Sequence, residues 1–370
     1  MSQIPSLLYA DVEDDLRRAV RVMLADRAPI EEILDRSDQE DAYGKGARQI
    51  WSGLVEELGV AALAVPAELG GAGASWREVA VVLEELGRGV VDVPFFTSAV
   101  LATSLAHEAG AIDLLGELAT GEAVGAVVAS FAAPLVPPEG LTWDGRVVSG
   151  TVRTVAGVAE ATHLLVPVAD ALLVVAAEQA DALAVPSLDM TRRVADVTFE
   201  GVEAAVVAEG PEVVVALARS ADLAAALLAS EQLGLAERVL ELTVDYLKQR
   251  RQFGRVLGSY QALKHRLADL WTSVTQARAV ARYAAACASA TDGPDASDLS
   301  VAASLAQAVC GEVALRAAEE CLQLHGGIGF TWEHPAHLYV KRARTDALAL
   351  GTPSWHRRRL ADLAGLPHPA

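Results

Sequence analysis

The chain has 370 residues, a formal net charge of −19 and 52% hydrophobic residues. That apolar fraction excludes a disordered chain and suffices for two or three domains with a sizeable core. The acidic balance excludes a nucleic-acid binder, because phosphate contacts need concentrated Lys and Arg.

Basic residues cluster only locally, at 248–255, 341–344 and 357–359. Such runs can hold a small anionic ligand or sit as solvated helix ends. Cys287, Cys310 and Cys321 lie among Ala, Leu and Val, with no CxxC spacing and no neighbouring His pair. They read as buried thiols, not as a disulfide framework or a metal site. Residues 1–24 are amphipathic and acidic, unlike a signal peptide. No run reaches the ~18 uninterrupted apolar residues of a transmembrane helix. The expected location is cytoplasmic.

Taken in order, residues 7–36 read as one helix, with Leu16, Val20, Met23 and Leu24 at helical spacing. A second helix is expected from Asp41 to Leu58, stopping at Gly59. Pro66 to Gly73 is turn-rich. Ser75, with Glu78 three residues on, makes a capping box for the next helix. Ser98 to Ala119 adds one or two more. Residues 1–120 thus form an N-terminal helical domain.

The period changes over residues 121–212. Val124–Phe131, Val147–Val152, His163–Val168, Ala171–Val175, Ala182–Val185 and Val194–Phe199 are short Val-rich runs separated by Pro, Gly, Asp and Glu. They read as strands of a small antiparallel β domain.

Residues 213–370 return to helix. Asp222 reads as the N-cap of a helix running to about Gln249, with an apolar stripe through Leu223, Leu227, Leu228, Leu235, Val239, Leu242 and Tyr246. Glu231 falls on that stripe. A carboxylate there is either paired with an arginine of the bundle, the favoured reading, or functional. Gln261–Ala290 and Asp298–Leu324 are two more long helices, and a last one follows Pro353. The expected fold class is α+β, mostly α.

Three stretches carry more than structure. The helix before Leu324 stops at Gly326-Gly327, with Gln323 and His325 just ahead, Phe330, Trp332 and Glu333 beyond, and Lys341-Arg342-Ala343-Arg344 following. Paired glycines break a helix and let a ligand approach the backbone. Upstream lie Arg250-Arg251-Gln252-Phe253-Gly254-Arg255 and then Gln261. Near the N-terminus are Pro66-Ala-Glu-Leu-Gly70-Gly71-Ala-Gly73 and Leu83-Glu84-Glu85-Leu86-Gly87. In this order and over nearly the whole chain, these stretches resemble the acyl-CoA dehydrogenase family.

That resemblance implies an N-terminal helical domain, a central β domain and a C-terminal four-helix bundle. It implies an FAD-dependent oxidoreductase, oligomeric, in lipid metabolism, that desaturates an acyl-CoA thioester between Cα and Cβ. A carboxylate removes the α proton and flavin takes the β hydride. FAD contacts come from two subunits. Arg250, Gln252, Phe253 and Gln261, with Gln323 and Gly327, would reach the nucleotide side of a neighbour's FAD, and Thr352 belongs to the same cofactor set.

Other family elements are absent. The T-E-P-x-x-G-S-D segment that touches the flavin ring is replaced by Ser130 to Gly140. The x-x-G-x-K strand has Val152 in place of Lys, and W-I-T becomes Thr154-Val155-Ala156. At the two usual base positions stand Leu350, before Gly351-Thr352, and Ala224. Asp222 and Glu231 are weak substitutes. The chain is therefore similar to actinobacterial subunits that lack the catalytic Glu and complete the FAD site of a partner. The alternatives are an active homo-oligomer with a relocated base, and a flavin oxidase or monooxygenase, which would need an intact ring pocket.

Overall fold

The computed structural model describes residues 6–37, 42–290 and 298–366. The chain opens with α1 (Asp11–Arg27), α2 (Ile30–Ser37) and α3 (Ala42–Glu56). The single helix expected over 7–36 is broken after Arg27, because Pro29 has no N–H to continue the ladder and pushes Ala28 out of helical geometry. Asp41, the expected start of the second helix, lies outside the described residues. Gly59, after α3, turns the chain at φ 63°.

Ser75 caps α4 (Trp76–Gly89). Its hydroxyl accepts from the Arg77 N–H, and Glu78 accepts the Ser75 N–H at 2.9 Å. A π-helical segment (Phe95–Ala102), α5 (Thr103–Glu108) and α6 (Ile112–Thr120) complete this part.

The central part holds β1 (Gly125–Val127), β2 (Thr142–Trp143), β3 (Val147–Ala156), β4 (His163–Val168), β5 (Ala171–Ala176), β6 (Asp181–Val185), β7 (Val194–Glu203) and β8 (Ala205–Glu209). They form two sheets, ordered β1-β4-β5-β8 and β2-β3-β7-β6. Val148, Val152, Val166, Leu173, Val197 and Phe199 fill the core between them. The antiparallel expectation needs one correction: β1 pairs with β4 in parallel, Gly125 opposite His163. Strands β2 and β3, between them in the chain, leave for the other sheet, so β4 returns in the direction of β1. The run expected as a strand from Val124 to Phe131 shortens to β1, because Ala129 to Phe131 turn toward the C-terminal part. Two-residue β2 and the exposed edge strand β8 left no periodicity to read.

The C-terminal part is α7 (Pro211–Gln249), a short hairpin of β9 (Arg251–Gln252) and β10 (Arg255–Val256), then α8 (Gln261–Ala288), α9 (Leu299–His325), α10 (Ala336–Asp346) and α11 (Pro353–Leu363). Asp222 is not an N-cap. The helix begins after Gly210, with Pro211 pre-setting its first φ. Asp222 lies inside α7, where Arg359 of α11 donates to it at 2.9 Å and Ser300 of α9 donates as well. Helix α10 was not expected, since its charged residues hid its short apolar stripe.

Helices α4 and α7 cross at two glycines. A Cβ on Gly87 would meet the Glu231 carbonyl at 2.1 Å, and one on Gly234 would meet the Glu84 carbonyl at 1.9 Å. Only glycine lets the backbones touch there. The Leu83–Gly87 stretch is therefore a packing device. Its Glu84 and Glu85 are buried and paired to Arg17 and Arg21 of α1 at 2.6 and 2.7 Å. Helices α7 and Leu299–Phe330 are long and apolar enough to cross a membrane by length and composition, but 72% and 61% of their most apolar windows are buried inside the fold.

Candidate functional site

At one end of the bundle α7 closes on Arg250, whose N–H donates to the Tyr246 carbonyl at 2.9 Å. The Leu257 N–H donates to the Arg250 carbonyl at 2.8 Å and closes the base of the hairpin. Phe253 and Gly254 form its tip at φ 51° and 78°. Both are left-handed, as in a type I′ turn, and Phe is a poor choice there. Its ring is 87% exposed. Arg250, Gln252 and Gln261 are exposed on the same connection. Arg255 lies over the Tyr260 ring at 3.7 Å.

The glycine break follows α9. Gly326 needs its freedom, with φ 66°. Gly329 needs to be small, since a Cβ there would meet the Leu322 carbonyl at 2.4 Å. Gly327 needs neither: its φ is not left-handed and a Cβ would meet nothing within 4 Å. Gln323, Gly327, Ile328, Phe330 and Trp332 are all exposed. Ring contacts join the last turn of α7, just ahead of the hairpin, to the residues on either side of the glycine turn. Tyr246 stacks on His325 with centroids 4.4 Å apart, and His325 meets His334 at 4.4 Å. Thr352 caps α11, accepting the Trp355 N–H at 3.2 Å.

In the other basic runs Arg342 and Arg359 are tied into the fold, while Arg344 and Arg357 are exposed and paired at the surface. Arg342 is buried, Arg344 pairs with Glu319 at 3.6 Å, Arg357 with Glu312 at 2.7 Å, and Arg359 with Asp222.

Glu231 sits in a buried ion network. Arg342 of α10 donates to it at 2.6 Å and to Asp189 at 2.6 Å, and Arg192 also donates to Glu231. Burial pushes the Glu231 carboxyl up, but Arg192 and Arg342 outweigh it and hold the group below its usual value. Asp346 is raised well above the usual range, first by burial and then by Glu231. Glu231 is thus an ionised carboxylate whose Oε1 accepts from two arginines, a poor choice for taking a substrate proton. Sequence reading missed Asp189, Arg192 and Asp346. The signal available was helical: Leu338, Tyr339, Arg342, Ala343 and Asp346 share one buried face of α10.

Beside this network is a small cleft lined by Asp92, Phe96, Thr97, Arg192, Arg193 and Arg342. Arg192 stacks against Phe96 and Phe131, with its guanidinium 5.5 and 5.3 Å from the ring centroids. Burial lifts the Asp92 carboxyl to about 6, opposed by Arg193 at 3.3 Å. Nothing in the segment Val91-Asp92-Val93-Pro94 flags that acid in the sequence.

Leu350 and Ala224 are both buried and apolar. The Leu350 N–H donates to the Phe131 carbonyl at 3.0 Å, the Phe131 N–H donates to the Thr154 carbonyl at 3.0 Å, and Ser130 and Thr154 hydroxyls meet at 2.9 Å. Leu350 and Thr154 both hold left-handed φ, 55° and 56°. The three segments that the resemblance assigned to the flavin ring and the base are thus bonded to each other. The residues present fit the nucleotide side of an FAD, with exposed Arg and Gln side chains around an uncovered glycine. On the ring side, Val152 and Leu350 offer no polar side chain, and the backbone N–H groups of Phe131 and Leu350 are bonded within the chain. Among the described residues no group of His, Cys, Asp and Glu is placed to hold a metal.

Residues 11–133 match the acyl-CoA dehydrogenase N-terminal domain and residues 215–364 the C-terminal domain. The acyl-CoA dehydrogenase IpdE2 of Mycolicibacterium smegmatis is 37% identical over 349 residues, covering 93% of this chain and 96% of the relative. Among solved structures, the ChsE4–ChsE5 complex from Mycobacterium tuberculosis superposes with a TM-score of 0.85 at 26% identity, over 98% of this chain and 100% of that one. The Tcur3481–Tcur3483 steroid ACAD variant gives 0.82 at 30% identity, over 96% and 98%. On the matched domains, the relative similar over nearly its whole length and the shared three-part fold, the chain belongs to the acyl-CoA dehydrogenase family.

Proposed function

We propose that this chain is a non-catalytic subunit of a hetero-oligomeric acyl-CoA dehydrogenase. It completes the FAD site of a catalytic partner that desaturates an acyl-CoA thioester. The observation that carries the reading is the contrast at the two half-sites. Gly327, demanded by neither backbone nor packing, lies open, and Gln323, the Arg250–Phe253 hairpin and Gln261 are exposed. Leu350 and Ala224, at the base positions, are buried and cannot take a proton.

Each exposed group suits one part of a dinucleotide. Arg250 can form charge-assisted bonds to a pyrophosphate, Gln252, Gln261 and Gln323 can bond its polar edges, and Gly327 allows close approach. FAD, when bound, supplies the hydride acceptor. The reading includes a cytoplasmic location with the acyl-CoA substrate. A steroid-derived acyl group is the first substrate class to try, because the Tcur3481–Tcur3483 relative is described as a steroid ACAD. The description of ChsE4–ChsE5 as a complex supports a hetero-oligomer in the same way.

A second reading is an active homo-oligomer with a relocated base. Asp92 favours it: its carboxyl stands in a cleft and is lifted to about 6. Visible flavin absorbance and native mass of the purified chain separate the two. The first reading expects a colourless chain that gains flavin with a partner subunit, and loses it again in Arg250→Ala. A yellow homo-oligomer with about one FAD per chain would overturn it and point to Asp92.

A further inference from the structure

The glycine turn has little of its own to hold it. Gly326 and Gly327 pay the largest conformational entropy on ordering, and the turn's internal support is a few short-range backbone bonds such as Thr331 N–H to Ile328 O at 3.0 Å. The hairpin likewise rests on a two-residue ladder. Yet ring contacts run from Tyr246, whose carbonyl accepts the Arg250 N–H at the base of the hairpin, to His325 and His334 on either side of the glycine turn.

Their ring protons can be assigned. His325 Nδ1 lies 2.7 Å from the Cys321 carbonyl, which can only accept, so Nδ1 carries the proton. His334 Nδ1 accepts the Ala336 N–H at 3.2 Å, so its proton is on Nε2. Each ring is thereby turned to a fixed angle. Burial lowers both histidines below their usual value, so the rings stack as neutral faces. Toward the helix interior His325 faces the Cys321 thiol at 3.6 Å, which burial pushes up to about 11 and keeps uncharged.

Each ring also sits where a helix ends or begins. Tyr246 is in the last turn of α7, and its carbonyl caps Arg250. His325 is the last residue of α9, directly before Gly326. His334 precedes α10, whose first N–H it accepts. We propose that Tyr246, His325 and His334 are positioning residues. They lock the 326–330 glycine turn to the 250–256 hairpin, so that the two segments meet a bound FAD as one surface. The inference rests on the cofactor-donor reading above.

Amide hydrogen exchange on the chain alone tests the brace without any cofactor. In His334→Ala, a half-buried position that leaves the core intact, exchange should speed up roughly three- to tenfold in both segments, 251–256 and 326–330, and stay unchanged in the middle of α7 and α9. His325→Ala should do the same, and His325→Phe, which keeps a stacking ring, should restore slow exchange. Acceleration in only one segment, or in neither, overturns the brace. In the complex with a flavin-carrying partner subunit, His334→Ala should retain the native mass and bind FAD about three- to tenfold more weakly. FAD retained in His334→Ala but lost in Arg250→Ala overturns the positioning role alone. FAD retained in both overturns the cofactor-donor reading and the positioning role with it.

Discussion

The backbone N–H of Leu350 donates to the carbonyl of Phe131 at 3.0 Å. This single bond joins the loop to which the resemblance assigned the base to the segment to which it assigned the flavin ring. It also helps hold Leu350 at φ 55°, a conformation that costs a leucine on the order of 1 kcal/mol.

Restoring a carboxylate at this position should therefore not restore chemistry. Leu350→Glu buries an ionisable group where the chain packs a leucine, and stability should fall by about 2–3 kcal/mol. A urea melt checks that figure. An acyl-CoA assay of the variant alone should show no flavin reduction. Turnover would mean that the ring pocket is intact and that the base was the only loss.

Glu231 answers to structure in the same way. Arg342 and Arg192 both donate to it in the buried core. Glu231→Gln removes the carboxylate the two arginines share, leaving only Asp189 and Asp346 beside them, and should cost about 3–5 kcal/mol. If Glu231 were the base, a correctly folded variant complex would lose turnover by orders of magnitude. The expectation is lost stability with turnover retained in whatever complex forms.

Two glycines four and two residues beyond His325 should separate fold from function. Gly329→Ala drives a Cβ into the Leu322 carbonyl, 2.4 Å away, and should destabilise by about 2 kcal/mol or more. Gly327→Ala meets open space and should leave the melting temperature unchanged. With a partner subunit, that same variant should bind FAD more weakly. Full flavin content in Gly327→Ala would sink the proposed approach of the cofactor to this turn.

Phe253 is exposed and left-handed, at the first turn position of a two-residue hairpin. Asn tolerates that conformation far better. Phe253→Asn should stabilise the isolated chain by about 0.5–1 kcal/mol, while weakening flavin retention in a complex. A variant that loses stability would show that the ring packs within the subunit.

Acid stability should depend on opposing shifts. Burial holds His334 and His356 down to about 4 and lifts Asp92 to about 6. Below about 6.5 the unfolded chain takes up histidine protons that the folded chain refuses, so this contribution weakens stability as pH falls toward 4. Asp92 works the other way. Between about 6 and 4 the folded chain holds a proton that the unfolded chain does not, so acidification favours the fold. Asp92→Asn removes that offset. Its urea midpoint should fall more steeply than the wild type's from pH 6 to pH 4, and parallel profiles would refute the shift at Asp92.

The sequence by itself determined the three-part order and some of the places where elements start and stop. Those features are local. The Ser75–Glu78 capping box, Pro353 at a first helical position, and Gly326 with its left-handed φ all act within a turn of themselves. The Val-rich runs marked most strands for the same reason. The family could be read because its motifs are contiguous. The tertiary structure alone decided which polar residues face one another. Glu231 meets Arg342 across 111 residues, and His325 meets both Tyr246 and His334, the three rings coming from three separate helix ends. Asp222 looked like a cap and proved to be a tie between helices, because a helix interior and a helix start can carry the same residue. Asp92 gained its raised carboxyl only from burial beside a cleft. Burial and long-range pairing depend on how helices pack, and a linear pattern records only which face of an element is apolar, not what lies against it.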